Sequence, residues 1–499
     1  MYNFDSKAIT ALVLISSESC NLNCEYCEIA KSANQYYNKE QAKLVKESYT
    51  NGVFLNNIKN IFSKLEIEPN NITQLDLWGQ EPTLTLDGFN YIFPELYNLL
   101  PNINRLMFST NMVQYYEKIL NLIDILEKEI PFNKKILLDI QVSFDGYENT
   151  LLFRKINPDI ILNNLENLIR QINEKKLEKV DVHFHFNTVL TAKECEEKLN
   201  NKEAIKKYWL DLDDLTKRYN LIITNPSLRF RRYNGIGLEA PVHASQSQGK
   251  ALAYFLKASK ELYEENHDPR LKGFEQLVYK LLRPLDVVYN EYDNYYDFLK
   301  KLTHYDIDKN FVEKISRSMY CGNGVGALKV RYDGTLVHCH NVIHHITPES
   351  LKNKQGWEYR NLEQFAKHKY YPNILTDSKE DFDKYIYQAN VIQKSAYPFN
   401  YSLTVNLMRM LRDAGQLHEC YNNNDELLLK HALIAVRIGT CWDGNVKYLG
   451  SGVGNWVGSI RFICNGALNY LVDYEEEFIK NQIEQRKERR KKKEERKNG

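Results

Sequence analysis

The chain has 499 residues, 43% hydrophobic and 26% charged, with 66 Lys and Arg against 65 Asp and Glu. Its length accommodates two to four domains. A formal charge of +1 argues against a globally basic nucleic-acid coat or an acidic solvating protein. No apolar run approaches the ~20 residues of a membrane-spanning helix. Met1–Asp5 lacks a basic segment leading into an apolar stretch, so a cytoplasmic protein with no membrane partner is expected. The nine cysteines are an odd number, and three fall within eight residues, which suits metal-binding thiols better than a disulfide framework.

Within residues 1–235, short β-patterned runs alternate with helix-patterned stretches. Strands are predicted at Ala11–Ile15, Leu75–Trp78, Arg105–Ser109, Leu138–Ser143, Val180–Asn187 and Leu221–Thr224. Helical spacing marks Glu40–Leu65 and Asp159–Lys179. This alternation implies a parallel α/β sheet, either a TIM-like barrel or an open doubly wound sheet, and repetition alone does not choose. Residues 236–315 read as a helical connector. A β-hairpin signal follows, Ala327–Tyr332, the Asp333-Gly334 turn and Thr335–His338, opening a mixed segment over 316–473. That segment carries a helical pattern at Leu407–Leu417 and Gly-rich turns at Gly444–Gly458. The charged end, 474–499, becomes strongly basic from Arg486 and reads as an exposed helix or a disordered tail.

Cys20, Cys24 and Cys27 stand in a C-x3-C-x2-C spacing directly after the first strand pattern. Three thiolates can wrap one [4Fe–4S] cube and leave its fourth iron open to a ligand with N and O atoms. Zinc would want four ligands, commonly two separated pairs, and no matching second pair exists. The bland alternative is three unrelated buried cysteines.

Cys20-x3-Cys24-Glu25-Tyr26-Cys27 resembles the cluster motif of the radical S-adenosylmethionine superfamily. The resemblance implies that the open iron chelates the amino and carboxylate groups of S-adenosylmethionine, and that Tyr26 contacts its adenine. Further matches lie at other strand ends. Trp78-Gly79-Gln80-Glu81-Pro82 resembles the family's G-G-E-P motif with Gln80 at the second Gly, and Glu81 would accept from the cofactor ammonium. Ser109-Thr110-Asn111 looks like a T-N-G motif with Met112 replacing Gly. Ser143-Phe144-Asp145-Gly146 matches an S-x-D-G motif in which Ser143 would contact the ribose. Arg154 matches an arginine that pairs with the methionine carboxylate, after a segment about two residues short. The resemblance selects a partial (β/α)6 barrel, since such barrels place chemistry at carboxyl ends of strands.

Cys321, Gly334 and Cys339 form a C-x12-G-x4-C pattern similar to the opening of the SPASM or twitch extension, which holds auxiliary iron–sulfur clusters. The C-x2-C array of a full SPASM domain is missing. Cys441 and Cys464, in Gly-rich surroundings, would complete one auxiliary cluster, with Cys420 as the remaining downstream candidate. A degenerate extension with buried structural cysteines is the alternative. His338, His340, His344 and His345 crowd the same region and could contribute a ligand, with ordinary surface or hydrogen-bonded histidines as the simpler reading.

Three other features are singled out. His183, His185 and Asn187 share one strand face and would line a barrel lumen or simply pack. Arg229, Arg231 and Arg232 suit a carboxylate or phosphate, with solvated salt bridges as the simpler reading. Cys195 reads as an isolated helical thiol.

The expected function is reductive cleavage of S-adenosylmethionine to a 5′-deoxyadenosyl radical that abstracts hydrogen from a peptide or protein substrate, with flavodoxin or ferredoxin as electron donor. One rival is a radical enzyme acting on RNA or a small metabolite, with nucleic acid met by the basic tail. The other is a non-catalytic iron–sulfur binding or regulatory protein on the same scaffold.

Overall fold

The structure is a computed structural model that describes residues 6–17, 19–27, 39–198, 201–238, 246–291, 294–304, 326–337, 373–439 and 453–498. Cys321, Cys339, Cys441, His338, His340, His344 and His345 lie outside these. Two compact units share the chain. One comprises Met1–Val189, Leu210–Gly237 and Gly322–Val391, the other Leu190–Trp209, Leu238–Cys321 and Ile392–Gly499.

The first unit is built on strands β1 (Ala11–Ser17), β2 (Gln74–Gly79), β3 (Arg105–Thr110), β4 (Ile136–Ser143), β5 (Val180–Leu190), β6 (Leu228–Leu238) and β7 (Ala327–Arg331). Their order in the sheet is β6-β5-β4-β3-β2-β1-β7. Each of the pairs β1–β2, β2–β3, β3–β4, β4–β5 and β1–β7 is parallel. From β1 to β6 every strand therefore lies beside its predecessor, without the reversal of order that marks a doubly wound sheet. The intervening helices include α1 (Lys39–Thr50), α2 (Val53–Leu65), α3 (Leu86–Leu99), α4 (Tyr116–Glu129), α5 (Tyr147–Arg154) and α6 (Pro158–Asn173). Along the sheet α1 neighbours α3, α3 neighbours α4 and α4 neighbours α6. Crossovers of one hand between sequential strands put their helices on one face.

The two faces of the sheet differ in chemistry. Val330, Leu14, Leu77, Phe108, Ile140 and Phe184 align across six strands and are all buried. One residue earlier, Lys329, Val13, Asp76, Met107, Asp139 and His183 align on the opposite face. The lysine, both aspartates and the histidine are buried as well. Period-two strands whose crossover helices lie on one face produce this pairing of a greasy layer with a polar one.

Most elements fall where the sequence puts them, with four departures. The stretch read as Glu40–Leu65 is broken into α1 and α2 at Gly52, whose φ of 76° suits glycine. Asn157 accepts the Asp159 N–H at 3.0 Å with Pro158 at the first helical position, so α6 starts where predicted but ends at Asn173. The predicted strand Leu221–Thr224 instead overlaps the end of α8 (Lys202–Ile222), which follows the short α7 (Ala192–Glu197). The sixth strand is Leu228–Leu238, so Arg229, Arg231 and Arg232 lie on it rather than after it. The hairpin turn forms, with Gly334 at φ 81° and Arg331 N–H bonded to Thr335 O at 2.9 Å. Its first arm is β7, a strand of the main sheet beside β1. Among the described residues the second arm makes isolated bridges, Val330 to Leu336 and Thr335 to Asn373.

The second unit is helical where described. It contains α7, α9 (Gln246–Asn266), α10 (Phe274–Glu291), α11 (Tyr295–Thr303), the C-terminal part of α12 (Lys379–Asp413), α13 (Asp425–Gly439), α14 (Val453–Cys464) and α15 (Ala467–Asn498). Trp209 is fully buried here, its indole N–H donating to Ser259 Oγ at 2.9 Å. Gly454 and Gly458, read as turn residues, lie within α14. The charged terminus is the outer part of α15, whose first turns bury Leu468, Leu471, Phe478 and Ile479. Among the described residues no helix is long and apolar enough to cross a membrane.

Candidate functional site

The cysteine loop leaves β1 at the carboxyl edge of the sheet, where β2, β3 and β4 also end. Gly79 closes β2 against it. With φ at 137°, a Cβ there would lie 1.8 Å from Ser17 O, so only glycine permits this approach. Gln80 N–H then donates to Ser17 O at 3.0 Å and Glu81 N–H to Ser19 O at 3.1 Å. These bonds fix the start of the cysteine loop to the end of β2.

Glu81 is 1% exposed and gathers four donors. Oε1 accepts from Thr83 Oγ1 at 2.7 Å, Thr83 N at 3.3 Å and Thr110 Oγ1 at 2.8 Å, while Oε2 accepts from Asn111 N at 2.7 Å. Burial pushes its pKa above the usual carboxylate range, and the Thr83, Asn111 and Thr110 donors pull it back. Oε2 retains a lone pair beyond the Asn111 bond. The side chain expected to hold an ammonium group thus also ties β2 to β3.

Asn111 extends the link to the cysteines. Its amide donates to Asn21 Oδ1 at 2.7 Å and lies 3.8 Å from Cys20 Sγ. Met112, standing where glycine is usual in the T-N-G pattern, has φ 53°, so the backbone keeps the left-handed geometry despite its side chain. Asn164 on α6 supports that turn by donating to Met112 O and Val113 O at 3.0 and 2.9 Å.

A second polar network holds the other end of the loop. Asp145, after β4, receives Arg154 Nε at 2.7 Å and a second guanidinium nitrogen at 2.9 Å. Tyr26 donates its hydroxyl to the same carboxylate at 2.7 Å, and Val189 N–H adds a bond at 2.9 Å. Arg154 also lies over the Tyr26 ring, 5.5 Å from its centroid. Burial drives the Tyr26 hydroxyl well above its usual range, so it stays protonated and donates. Glu25 N–H bonds Phe153 O at 2.7 Å, closing the loop on α5. Ser143 is half-buried at the end of β4, level with Asn187 on β5. Asp145 belongs to the S-x-D-G pattern, but nothing in one sequence reveals that Tyr26 and Arg154 converge on it.

The three thiols sit between these networks. Burial, with Glu81 adding repulsion, pushes Cys20 up to about 12, and burial pushes Cys24 up to about 11 although Arg154 opposes it. Cys20 Sγ accepts from Leu22 N–H at 3.4 Å. Cys24 and Cys27 add to the upward shift of Cys20, and Cys27 to that of Cys24, which places the thiols within electrostatic reach of one another. Among the described residues, no group of three His, Cys, Asp or Glu side chains is drawn together tightly enough to hold a metal ion. The donor set fits a three-thiolate cluster in number and kind, and a cation would supply the charge that releases the thiol protons.

The remaining candidates lie elsewhere. Cys195 is buried on α7. Cys464, expected in a loop, is fully buried at the end of α14, its thiol pushed up to about 12 by burial. Cys420 is half-buried near Tyr421. Tyr421, His431 and Glu475 form a buried chain, with 2.8 Å from the Tyr421 hydroxyl to His431 Nδ1 and 2.8 Å from His431 Nε2 to Glu475. No family model matches the chain, and no curated relative matches it in sequence.

Proposed function

We propose that the chain is a radical S-adenosylmethionine enzyme acting on a peptide or protein substrate in the cytoplasm. The observation that carries this reading is the meeting, at one sheet edge, of the cysteine loop, Glu81, Asn111 and the Asp145–Arg154 pair. These groups come from the carboxyl ends of four consecutive parallel strands. Such an edge is where α/β barrels carry their chemistry. Sequential strand order and a buried polar sheet face support a partial (β/α)6 barrel whose interior is the polar side.

Cys20, Cys24 and Cys27 would hold a [4Fe–4S] cluster. With S-adenosylmethionine bound, that centre supplies a 5′-deoxyadenosyl radical for hydrogen abstraction once an external one-electron donor such as flavodoxin or ferredoxin has reduced it. The chain's own part is to bind and orient. Glu81 offers its remaining Oε2 lone pair to the cofactor ammonium, Ser143 a hydroxyl to the ribose, and Tyr26 an aromatic face to the adenine. Arg154, charged beside Asp145, would turn one edge of its guanidinium to the methionine carboxylate. A SPASM- or twitch-like extension with one auxiliary cluster on Cys321, Cys339, Cys441 and Cys464 belongs to the same proposal. It rests on spacing and on the family resemblance.

Anaerobic iron–sulfur reconstitution tests the reading. The Cys20/Cys24/Cys27→Ala triple variant should bind about four fewer irons than the unaltered chain. Only the unaltered chain should release 5′-deoxyadenosine from S-adenosylmethionine under dithionite. Equal iron in both proteins would refute the cluster assignment. Full iron without cofactor cleavage would leave a non-catalytic iron–sulfur protein.

A further inference from the structure

The pairing of β5 with β6 brings together residues that the cysteine site does not use. Val182 N–H donates to Ser227 O at 2.8 Å. The same offset joins Ile136 N–H to Lys179 O, where Ile136 and Val180 are parallel partners. Val182 therefore stands level with Leu228, His183 with Arg229 and His185 with Arg231. On the other face the Phe186 and Phe230 rings meet at 5.0 Å, which agrees with this alternation. Arg232, on that face, is paired with Asp213, whereas Arg229 and Arg231 are exposed.

His183 is 4% exposed, yet among the described residues neither of its ring nitrogens makes a hydrogen bond. His185 contacts Asp139 through Nε2 and leaves Nδ1 without a partner among the described residues. Buried imidazole nitrogens without partners are costly, and a ligand that satisfies them recovers that cost. Two carboxylates lie close by. Asp139 is held by Arg105, at 2.7 Å, and by His185. Asp181 Oδ2 lies 3.3 Å from His183 Nε2. Two arginines against Asp181 leave this corner with one surplus positive charge.

We infer that His183, Arg229 and Arg231 form a binding site for a substrate carboxylate. The guanidinium groups supply charge and paired donors, and His183 one N–H. Burial lowers the pKa of His183; Asp181 opposes this, and Arg231 and Arg229 reinforce it. The ring is thus a neutral donor at pH 7. A monoanion neutralises the surplus charge, whereas a phosphate dianion would exceed it by one beside Asp181. Nor does a Gly-rich loop or helix N-terminus join the cluster among the described residues, as phosphate sites commonly require. The inference rests on the proposed enzyme reading only for calling the ligand a substrate; anion binding itself needs no iron.

The test uses the full chain without iron, labelled with ¹³C at histidine, and sodium acetate, acetamide and inorganic phosphate as probes. The His183 ring signal is the one lost in His183→Gln. It should shift saturably with acetate and not with acetamide, and the acetate affinity should fall at least tenfold in Arg229→Gln/Arg231→Gln. If His183→Gln does not fold, the same comparison is read from the thermal midpoint, which acetate should raise above chloride in the unaltered chain only. Both arginines are exposed, so their replacement leaves the fold intact. Equal shifts with acetate and acetamide, or a saturable response surviving in the arginine variant, would overturn the site. Phosphate binding tighter than acetate would overturn the carboxylate assignment. Because no cluster is present, neither result depends on the reading of the cysteine loop.

Discussion

Asn111 donates its backbone N–H to Glu81 at 2.7 Å, and its side-chain amide reaches Asn21 beside Cys20. The carboxylate on β2 and the first cysteine are thereby mechanically joined through the end of β3. A change at Glu81 will reach the thiols as well as any ligand of its own.

Glu81→Ala should accordingly do two things. It strips acceptors from Thr83, Thr110 and Asn111, so urea unfolding should show a loss on the order of 1.5–3 kcal/mol. It should also weaken S-adenosylmethionine binding, measured by equilibrium dialysis against the reconstituted protein. A variant with unchanged cofactor affinity but lowered stability would assign Glu81 to the loop alone.

The Asp145–Arg154 pair is buried on both sides, with side chains 1% and 8% exposed. Removing one partner leaves an uncompensated charge, and Asp145→Asn or Arg154→Met should each cost about 3–5 kcal/mol. The double variant should recover part of that loss, because it buries no orphaned charge. Strictly additive losses in the cycle would mean the two side chains are not energetically coupled.

Stability should also carry a pH signature from the polar sheet face. Burial, opposed by Gln74 and Arg105, raises Asp76 to about 6. The native state then binds this proton more tightly than the unfolded chain. Asp76 therefore favours folding at low pH, and that contribution is lost as pH rises from the unfolded value near 4 through about 6. Asp76→Asn should remove on the order of 2–3 kcal/mol of the difference between unfolding free energies at pH 4 and pH 7.5. An unchanged pH profile would place the titration elsewhere.

For the second cysteine group the decisive sample is the triple variant lacking Cys20, Cys24 and Cys27. If Cys321, Cys339, Cys441 and Cys464 hold a cluster, reconstitution should leave about four irons with an EPR or Mössbauer signature of their own. A folded, iron-free triple variant would reduce these cysteines to packing residues. The burial of Cys464 at the end of a helix makes that outcome as informative as the other.

The first five strands were legible because each is a short apolar run ending in polar residues, and period-two burial follows from those runs. β6 was not. Its Leu228 and Phe230 alternate with arginines, while Leu221–Thr224 offered a denser apolar cluster whose first two residues end α8, with Leu221 83% exposed. Local hydrophobicity outvoted alternation, and the pairing with β5 that fixes the true strand is a tertiary fact. The cysteine loop and Glu81 were visible as spacing. The convergence of Tyr26 and Arg154 on Asp145 was not, since it joins residues 119 positions apart in one case. Gly454 and Gly458 suggested turns, but a helix packed on other helices accepts glycine despite its low propensity.

The place of β7 has a consequence for synthesis. β1 is synthesised before the other strands of its sheet and gains β2 as one neighbour within the next few dozen residues. Among the described residues its other edge pairs with Ala327–Arg331 alone, register partner to Ala11–Ile15. At about 5–20 residues per second, that edge waits on the order of 15–60 s for its partner. During this interval an apolar strand presents free N–H and C=O groups to any passing chain. Nascent chains halted before residue 326 should be the aggregation-prone species, and those released past 337 should not.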